Sequence, residues 1–314
     1  MRCLLCGGKV NTVIARELRD GRAPVFYCKR CDLGILGTVA QENKLKKYYD
    51  GEYRKTTSQK LGSGMNPRGI FSMGIDFQDH RINFLKKYFG KNKRLLEVGC
   101  SAGMFLWHAK KYVKEVVGID YDSRSAKFTA DKCKCKTYDK DIEQTNLKEK
   151  SFDIICAFQT LEHVGNPLDF IAKYKKYLKP SGIMAIEVPN LYDPLLYLYD
   201  VPYYQKFYFH KSHLWYFTPT SLAKLMYKND FQGKVFPLQE YNILNHMNWI
   251  YTNAPQATAT PGRIKPILSL RKDLDPKVKK NLNNFIQSVD LGYKNKLGEL
   301  GATSCLFYIG KLKK

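Results

Sequence analysis

The chain has 314 residues, 44% hydrophobic and 26% charged, which suffices for one large domain with appendages. No run of about eighteen apolar residues occurs, so no membrane-spanning helix is expected. The N-terminus lacks the apolar stretch of a secretory leader. The net charge of +23 fits either a surface that grips nucleic acid or another polyanion, or a lysine-rich usage spread over helices. Lys173 to Lys176 and Lys277 to Lys280 are of the second kind.

Chain order begins with cysteines. Cys3-x-x-Cys6 and Cys28-x-x-Cys31 form two pairs with 21 residues between them. Four thiolates at that spacing can close a tetrahedral zinc site; two redox pairs are the alternative. Gly7, Gly8 and Gly34 follow the pairs and are expected in the knuckle turns. Between the pairs, Val10 to Ile14, a turn at Asp20-Gly21 and Val25 to Tyr27 read as a hairpin. The zinc ribbon is expected over 1–38. The other five cysteines, Cys100, Cys133, Cys135, Cys156 and Cys305, lack ligand spacing. They read as reduced thiols, and so predict a cytoplasmic protein.

Residues 39–90 follow as a helical linker or, as the family resemblance described below implies, a segment that covers a cofactor. Gln41 to Gly51 reads as a charged helix, and Thr56 to Gly74 as a polar, mobile stretch. Arg81 to Phe89 returns to helical spacing, with Ile82, Leu85 and Phe89 on one face.

From Arg94 strands and helices alternate, as a doubly wound parallel sheet requires. Strands are predicted at Arg94–Val98, at Val116–Ile119, at Cys135–Tyr138, at Phe152–Phe158 and at Ile183–Val188. Helices are predicted at Gly103–Tyr112, near Ser123–Lys132 and from Pro167 to Leu178. An aromatic-rich segment then runs from Tyr192 to Phe217. It is either a hydrophobic wall or dimer face, or a set of rings that stack on sugars. Thr218 is expected as an N-cap with Pro219 at the first helical position. Gly233–Leu238 and Thr303–Gly310 read as strands. Residues 241–300 between them read as an insertion that covers a cleft or dimerises. It holds one helix around Ile243 to Ile250 and a second from Pro276 to about Leu291.

The motif at the centre is Leu95-Leu96-Glu97-Val98-Gly99-Cys100-Ser101-Ala102-Gly103. A strand ends in an acid, passes two glycines four apart, and opens a helix. Asp120 lies at the tip of the next strand, where a carboxylate suits a ribose diol. Ser101 and Met104 interrupt a dinucleotide G-x-G-x-x-G, and no Walker lysine is present. Glu97 would repel a phosphate and attract an amino group. A cofactor with a ribose, a cationic head and no phosphate fits, and S-adenosylmethionine is one.

On these residues, with Phe152-Asp153-Ile154-Ile155, Leu161-Glu162-His163-Val164 and Leu178-Lys179-Pro180-Ser181-Gly182 following in order, the chain resembles the class I S-adenosylmethionine-dependent methyltransferases. The resemblance covers about 150 residues. It implies a Rossmann-like α/β sheet of seven strands with the last pair antiparallel, formed by 91–240 plus 301–314. It also implies site residues. Glu97, Gly99 and Gly103 would line the methionine part of the cofactor, with Ser101 in the turn where many members have glycine. Asp120 would hold the ribose and Tyr121 would pack on the adenine. Asp141 and Ile142 would meet the adenine edge, and Gln159 would face the methionine end.

The loop after the fourth predicted strand is Gln159-Thr160-Leu161-Glu162, not the Asn/Asp-Pro-Pro-Tyr/Phe of base-amine methyltransferases. The stretch His213 to Leu222 resembles the branch that modifies sugars and other small polar metabolites. Zinc-bearing sugar C-methyltransferases share the cysteine pairs and this histidine, but carry glutamate where Ser212 stands. The expected activity is therefore O-methylation of a sugar or nucleotide-sugar by a monomer or homodimer. A hydroxyl acceptor needs a base near neutral pKa, and His213 and His163 are the candidates. An RNA methyltransferase and a non-catalytic zinc-ribbon binding protein are the alternatives.

Overall fold

The computed structural model describes residues 1–37 and 66–313. The predicted helix Gln41–Gly51 and most of the predicted mobile stretch lie outside the described residues. The chain begins with three strands, β1 (Thr12–Leu18), β2 (Gly21–Cys28) and β3 (Leu33–Leu36), which pair antiparallel in that order. Helices α1 (Pro67–Gly74) and α2 (Asp79–Leu85) follow. Asn66 caps α1 by accepting from the Gly69 N–H.

The alternating part contains β4 (Gly90–Val98), α3 (Met104–Ala109), β5 (Val113–Ile119), α4 (Ser123–Cys133) and β6 (Lys136–Tyr138). It continues with β7 (Phe152–Phe158), α5 (Pro167–Lys175) and β8 (Leu178–Pro189). The aromatic segment forms two short helices, α6 (Pro194–Tyr197) and α7 (Pro202–Tyr208), and a two-residue strand, β9 (Trp215–Tyr216). The chain ends with α8 (Pro219–Lys228), β10 (Phe231–Leu238), α9 (Ile243–Thr252), α10 (Thr260–Arg263), α11 (Pro276–Glu299) and β11 (Cys305–Leu312).

The main sheet has seven strands in the order β10-β11-β8-β7-β4-β5-β6. β4 to β8 run parallel, and β11 is antiparallel to both β8 and β10. Every residue of β7 is buried, as a strand covered on both faces must be. Neighbouring residues point to opposite cores. Leu95, Ile154 and Ile183 join one cluster, while Leu96, Ile155 and Met184 join the other. The order change between β4 and β7 opens a crevice at their carboxyl ends, where open α/β sheets bind ligands.

Several boundaries differ from expectation. Lys179–Gly182 forms an irregular stretch inside β8, which starts at Leu178, and α5 ends at Lys175 because Tyr177 and Leu178 already feed the sheet. α11 runs on to Glu299 through Gly292, anchored by buried Asp290 and Leu297. Gly34 lies inside β3, where a Cβ would meet Tyr216 Cβ at 2.8 Å, so it serves strand packing. The left-handed residue of the second knuckle is Asp32, with φ of 60°.

The strands β3 and β9 connect the two parts of the molecule. Gly34 and Ile35 pair with Tyr216 and Trp215, which makes a second sheet of order β1-β2-β3-β9. Ribbon residues Leu5, Val10, Leu18, Val25 and Leu36 share one core with Leu96, Ile155 and Met184 of the main sheet. No helix among the described residues is long and apolar enough to cross a membrane.

Candidate active site

The turn after β4 is built for close approach. Gly99, Ser101 and Gly103 all have positive φ, of 73°, 48° and 79°. A Cβ on Gly99 would run into the Thr160 side chain, with Cγ2 at 2.9 Å and Oγ1 closer still. A Cβ on Gly103 would lie 2.6 Å from Thr129 Cγ2. Hence the glycines cannot be exchanged without moving a neighbour. Glu97, next to last in β4, is buried, and among the described residues its Oε2 has no hydrogen-bond partner. Burial pushes its carboxyl well above the usual range, against the pull of the Arg81 guanidinium. A buried orphan carboxylate oxygen beside a glycine turn suits the ammonium of an amino-acid cofactor, which would pair it.

Asp120 follows β5. Its Oδ2 accepts from the Ser101 N–H at 2.7 Å and its Oδ1 from the Asp122 N–H at 2.9 Å. Two backbone donors thus fix a carboxylate at the strand tip, one of them from the turn itself. Tyr121 is exposed, and its hydroxyl donates to Asp141 Oδ2 at 3.3 Å. Asp141 also accepts from Lys173 Nζ at 2.6 Å and caps the short turn that buries Ile142. Burial raises its carboxyl, but Lys173, the Glu143 N–H and the Tyr121 hydroxyl together hold it below the usual range. Gln159 follows β7 in a left-handed conformation, φ 50°, and donates to Glu187 Oε1 at 3.0 Å and Cys305 Sγ at 3.4 Å. The structure thus sets all nine expected cofactor residues at the carboxyl ends of β4, β5 and β7 and in the turn after β6.

The loop after β7 carries Glu162 and His163. His163 Nδ1 lies 2.7 Å from the Ser212 carbonyl, so this nitrogen carries the proton and Nε2 the lone pair. His213 sits just before β9, with its ring 4.8 Å from that of His163 and 3.7 Å from that of His210. The Nε2 atoms of His163 and His213 face Glu162 Oε1 at 3.7 and 3.9 Å. The structure brings together the two histidines that the sequence offered as bases, and adds Glu162 and His210, which were not among the site residues expected from the sequence. The pattern Leu161-Glu162-His163 offered Glu162, but its partners come from residues about fifty positions away. Burial lowers the His163 imidazole to about 4. Burial, then His210, His163 and Arg19, depress His213 well below its ordinary value. Arg19 comes from the ribbon; it donates to the Phe207 carbonyl at 2.6 Å and lies over the Phe207 ring at 3.7 Å.

A second polar group, also unseen in the sequence, surrounds Glu187 at the end of β8. Arg81 bridges it at 2.6 and 2.9 Å, and His80 Nε2 lies 2.9 Å away. Glu240, bridged by Arg263 at 2.8 Å, closes the group from the insertion side. Arg81 holds the buried Glu187 carboxyl well below the usual range, although burial alone would raise it.

In the ribbon the Sγ atoms of Cys3, Cys6, Cys28 and Cys31 all lie within 4.8 Å of one another. None is in a disulfide. Gly7 N–H donates to the Cys3 carbonyl, and Cys31 and Asp32 N–H groups donate to the Cys28 carbonyl, which closes both knuckles. The Cys6–Cys28 sulfur separation of 3.8 Å matches the about 3.8 Å edge of a tetrahedron with Zn–S bonds of about 2.3 Å.

A parallel sheet reversed between β4 and β7, with a glycine turn, a strand-tip carboxylate and a buried acid beside them, defines a nucleoside-binding α/β enzyme of the methyltransferase kind. The family model described as a methyltransferase domain matches residues 75–233. The chain belongs to the class I S-adenosylmethionine-dependent methyltransferases, and it is an enzyme of that family. It is 30% identical over 208 residues to a ubiquinone biosynthesis O-methyltransferase of Pelagibacter ubique, over 60% of this chain and 86% of that protein. It is 31% identical over 106 residues to a protein of the same name from Rhodopseudomonas palustris, covering 31% of this chain and 40% of that one. A solved structure of Haemonchus contortus phosphoethanolamine N-methyltransferase 2 with S-adenosyl-L-methionine aligns at a TM-score of 0.50 and 14% identity. That alignment covers 86% of this chain and 60% of the other, and shows a shared fold. The names of the two sequence relatives point to ubiquinone biosynthesis, where the sugar expectation pointed to carbohydrate.

Proposed function

We propose that this methyltransferase transfers a methyl group to a hydroxyl oxygen of a small polar acceptor, with His213 as the base and His163 beside it. The part-buried pair of His163, after β7, and His213, before β9, carries the reading. The His163 loop starts at Thr160, which touches the cofactor turn at Gly99, so the pair is read as lying next to the expected methyl donor. The O-methyltransferase names of the sequence relatives support an oxygen acceptor. A sugar or nucleotide-sugar is one acceptor class, favoured by the rings of Tyr192 and Tyr197 stacked 4.5 Å apart along the segment that leads to His213. An aromatic hydroxyl is the second, favoured by the ubiquinone relatives.

The bound cofactor supplies an electrophilic methyl on a sulfonium. The protein binds and orients. Glu97 takes the amino group, and Gly99, Ser101 and Gly103 give the backbone room. Asp120 takes the ribose hydroxyls and Tyr121 covers the adenine, while Asp141 and Ile142 meet its edge and Gln159 closes the methionine end. Placement supplies much of the rate in such an in-line transfer. Cys3, Cys6, Cys28 and Cys31 hold a structural zinc.

Two measurements test this. Calorimetry should show S-adenosylhomocysteine binding that weakens at least about tenfold in Asp120→Ala, since a hydrogen bond to a charged group contributes about 1.5–3 kcal/mol. Unchanged affinity would remove Asp120 from the site. Labelled methyl transfer onto UDP-hexoses and onto 3,4-dihydroxybenzoate should then separate the two acceptor classes. Transfer to an amine probe and to neither hydroxyl class would overturn the oxygen reading.

A further inference from the structure

A cleft of about 550 Å³ lies where the ribbon meets the edge of the main sheet. It shares no residue with the cofactor turn or the histidine group. Its walls come from three parts of the chain: Leu5 of the first knuckle, Tyr227 and Lys228 of the last turn of α8, and Phe231 to Gly233 of β10. The lining is mostly apolar. The volume suits one small organic molecule, since such sites span roughly 300–1,000 Å³.

One polar group at the cleft has no partner. Tyr308 of β11 lines it and is 2% exposed, and its hydroxyl has no hydrogen bond among the described residues. Gly233 and Gly310 pair across β10 and β11. The Tyr308 ring crosses Gly310, and its hydroxyl ends over Gly233, where a Cβ would lie 2.6 Å from it. The two facing glycines clear a notch that leads the hydroxyl to the wall of the cleft. A buried hydroxyl without a partner is destabilising, and an acceptor oxygen on a ligand would satisfy it. Burial raises this phenol, so it stays a donor at neutral pH.

The charges around the cleft are basic. Lys224 and Lys228 line it, and no acidic side chain does. Lys313 Nζ lies 3.1 Å over the Tyr227 ring. Lys224 Nζ donates to the Arg30 carbonyl at 2.7 Å, inside the second knuckle, where four thiolates outweigh the charge of one zinc. Lys228 is exposed at the rim, and no carboxylate of the lining competes for it. An apolar wall, a buried hydroxyl donor and a cation at the mouth together match a molecule with an apolar body and one anionic oxygen end.

We propose that this cleft binds an apolar monocarboxylate, with the Tyr308 hydroxyl and the Lys228 ammonium on its carboxylate and Leu5, Phe231 and Tyr227 along its body. Bound there, it ties the ribbon to α8 and to the sheet edge.

The test is a titration of the full, zinc-loaded chain with octanoate, followed by amide NMR, with S-adenosylhomocysteine present to fill the cofactor site. Saturable shifts are expected at Lys224, Gln232, Gly233 and the Cys31 knuckle. 1-Octanol, which has the same body and no carboxylate, should bind at least about tenfold more weakly. Tyr308→Phe should weaken octanoate at least about tenfold, since a hydrogen bond to a charged group is lost. Lys228→Gln should weaken it about two- to fivefold, as an exposed ion pair does. The ligand-free melting temperature of Tyr308→Phe should not fall, because the hydroxyl it removes has no partner to lose. Shifts that never saturate below micelle formation, or that fall only in the loops after β4 and β7, would overturn the site. Equal affinity for octanol would overturn the carboxylate. A clear fall in the melting temperature of Tyr308→Phe would show that water already satisfies the hydroxyl, and would also overturn the proposal. Should that variant not fold, octanol against octanoate in the parent and Lys228→Gln decide.

Discussion

Gly99 has no room for a methyl group. At φ 73° an alanine costs about 1–2 kcal/mol in backbone strain alone. Its Cβ would also press on the Thr160 Cγ2 and Oγ1, and overpacking of this kind costs about 1–3 kcal/mol. Gly99→Ala should therefore lose at least about 2 kcal/mol in denaturant unfolding and weaken S-adenosylhomocysteine binding. Adding Thr160→Ala should return the overpacking part and leave the strain, a coupling of about 1 kcal/mol or more in a double-mutant cycle. Additive losses would mean the two side chains do not meet. Gly292 is the opposite case, in the interior of α11 with nothing near its Cβ position. Gly292→Ala should stabilise by about 0.5–1 kcal/mol. Both glycines look alike in composition. Only Gly99 sits in a strand–turn–helix pattern, which is why its role was legible in the sequence. Glu162 was not, because its meaning lies in imidazoles brought to it by tertiary structure.

At the scale of elements, the ribbon and the histidine loop are one unit. Cys28 and Cys31 bracket the turn into β3, and β3 pairs with β9, directly after His213. Leu36 N–H donates to the Leu214 carbonyl at 2.9 Å. Asp32, next to Cys31, accepts from the hydroxyls of Tyr27 and Tyr192, and its carbonyl accepts from Thr218 Oγ1 at 2.7 Å. A metal that rigidifies the knuckles therefore also holds β9. Elemental analysis should find about one zinc per chain. Chelation, or Cys28→Ser, should raise amide exchange in residues 25–36 and also in 214–217. Loss of protection confined to the ribbon would show that β9 stands without it. Sequence showed the cysteine spacing and the first two strands, since both have local signatures. It did not show β3 or β9. Strands of four and two residues carry no period of their own and exist through their pairing. Thr218 and Pro219 were legible for the contrary reason, since an N-cap and a first-turn proline act locally, and α8 begins there with a capping box.

At the scale of the whole molecule, buried ionisable groups set how stability depends on pH. Burial pushes four histidines below their usual value of about 6.5: His163 and His246 to about 4, and His210 and His213 well down. Burial pushes three acids up: Glu162 to about 8, Asp193 to about 7, and Glu97 well above its usual range. Between about pH 4.5 and 6.5, unfolding lets the four histidines each bind a proton and makes the three acids each release one. Net uptake is four minus three, one proton, so stability rises with pH at about 1.4 kcal/mol per unit. Above about 6.5 the histidines are neutral in both states and contribute no slope. The acids still release protons on unfolding, so stability falls as pH rises through about 7 and 8. Below about 4.5, Glu187 adds a loss, because its folded pKa is depressed by Arg81 and protonation breaks that pair. The melting temperature of the zinc-loaded chain should thus peak near pH 6.5 and decline on both sides. In Glu162→Gln one of the three acids is gone, so the decline between pH 7 and 8 should flatten while the acid limb steepens. A melting temperature that rises steadily from pH 5 to 8 would show that these acids are ionised in the fold.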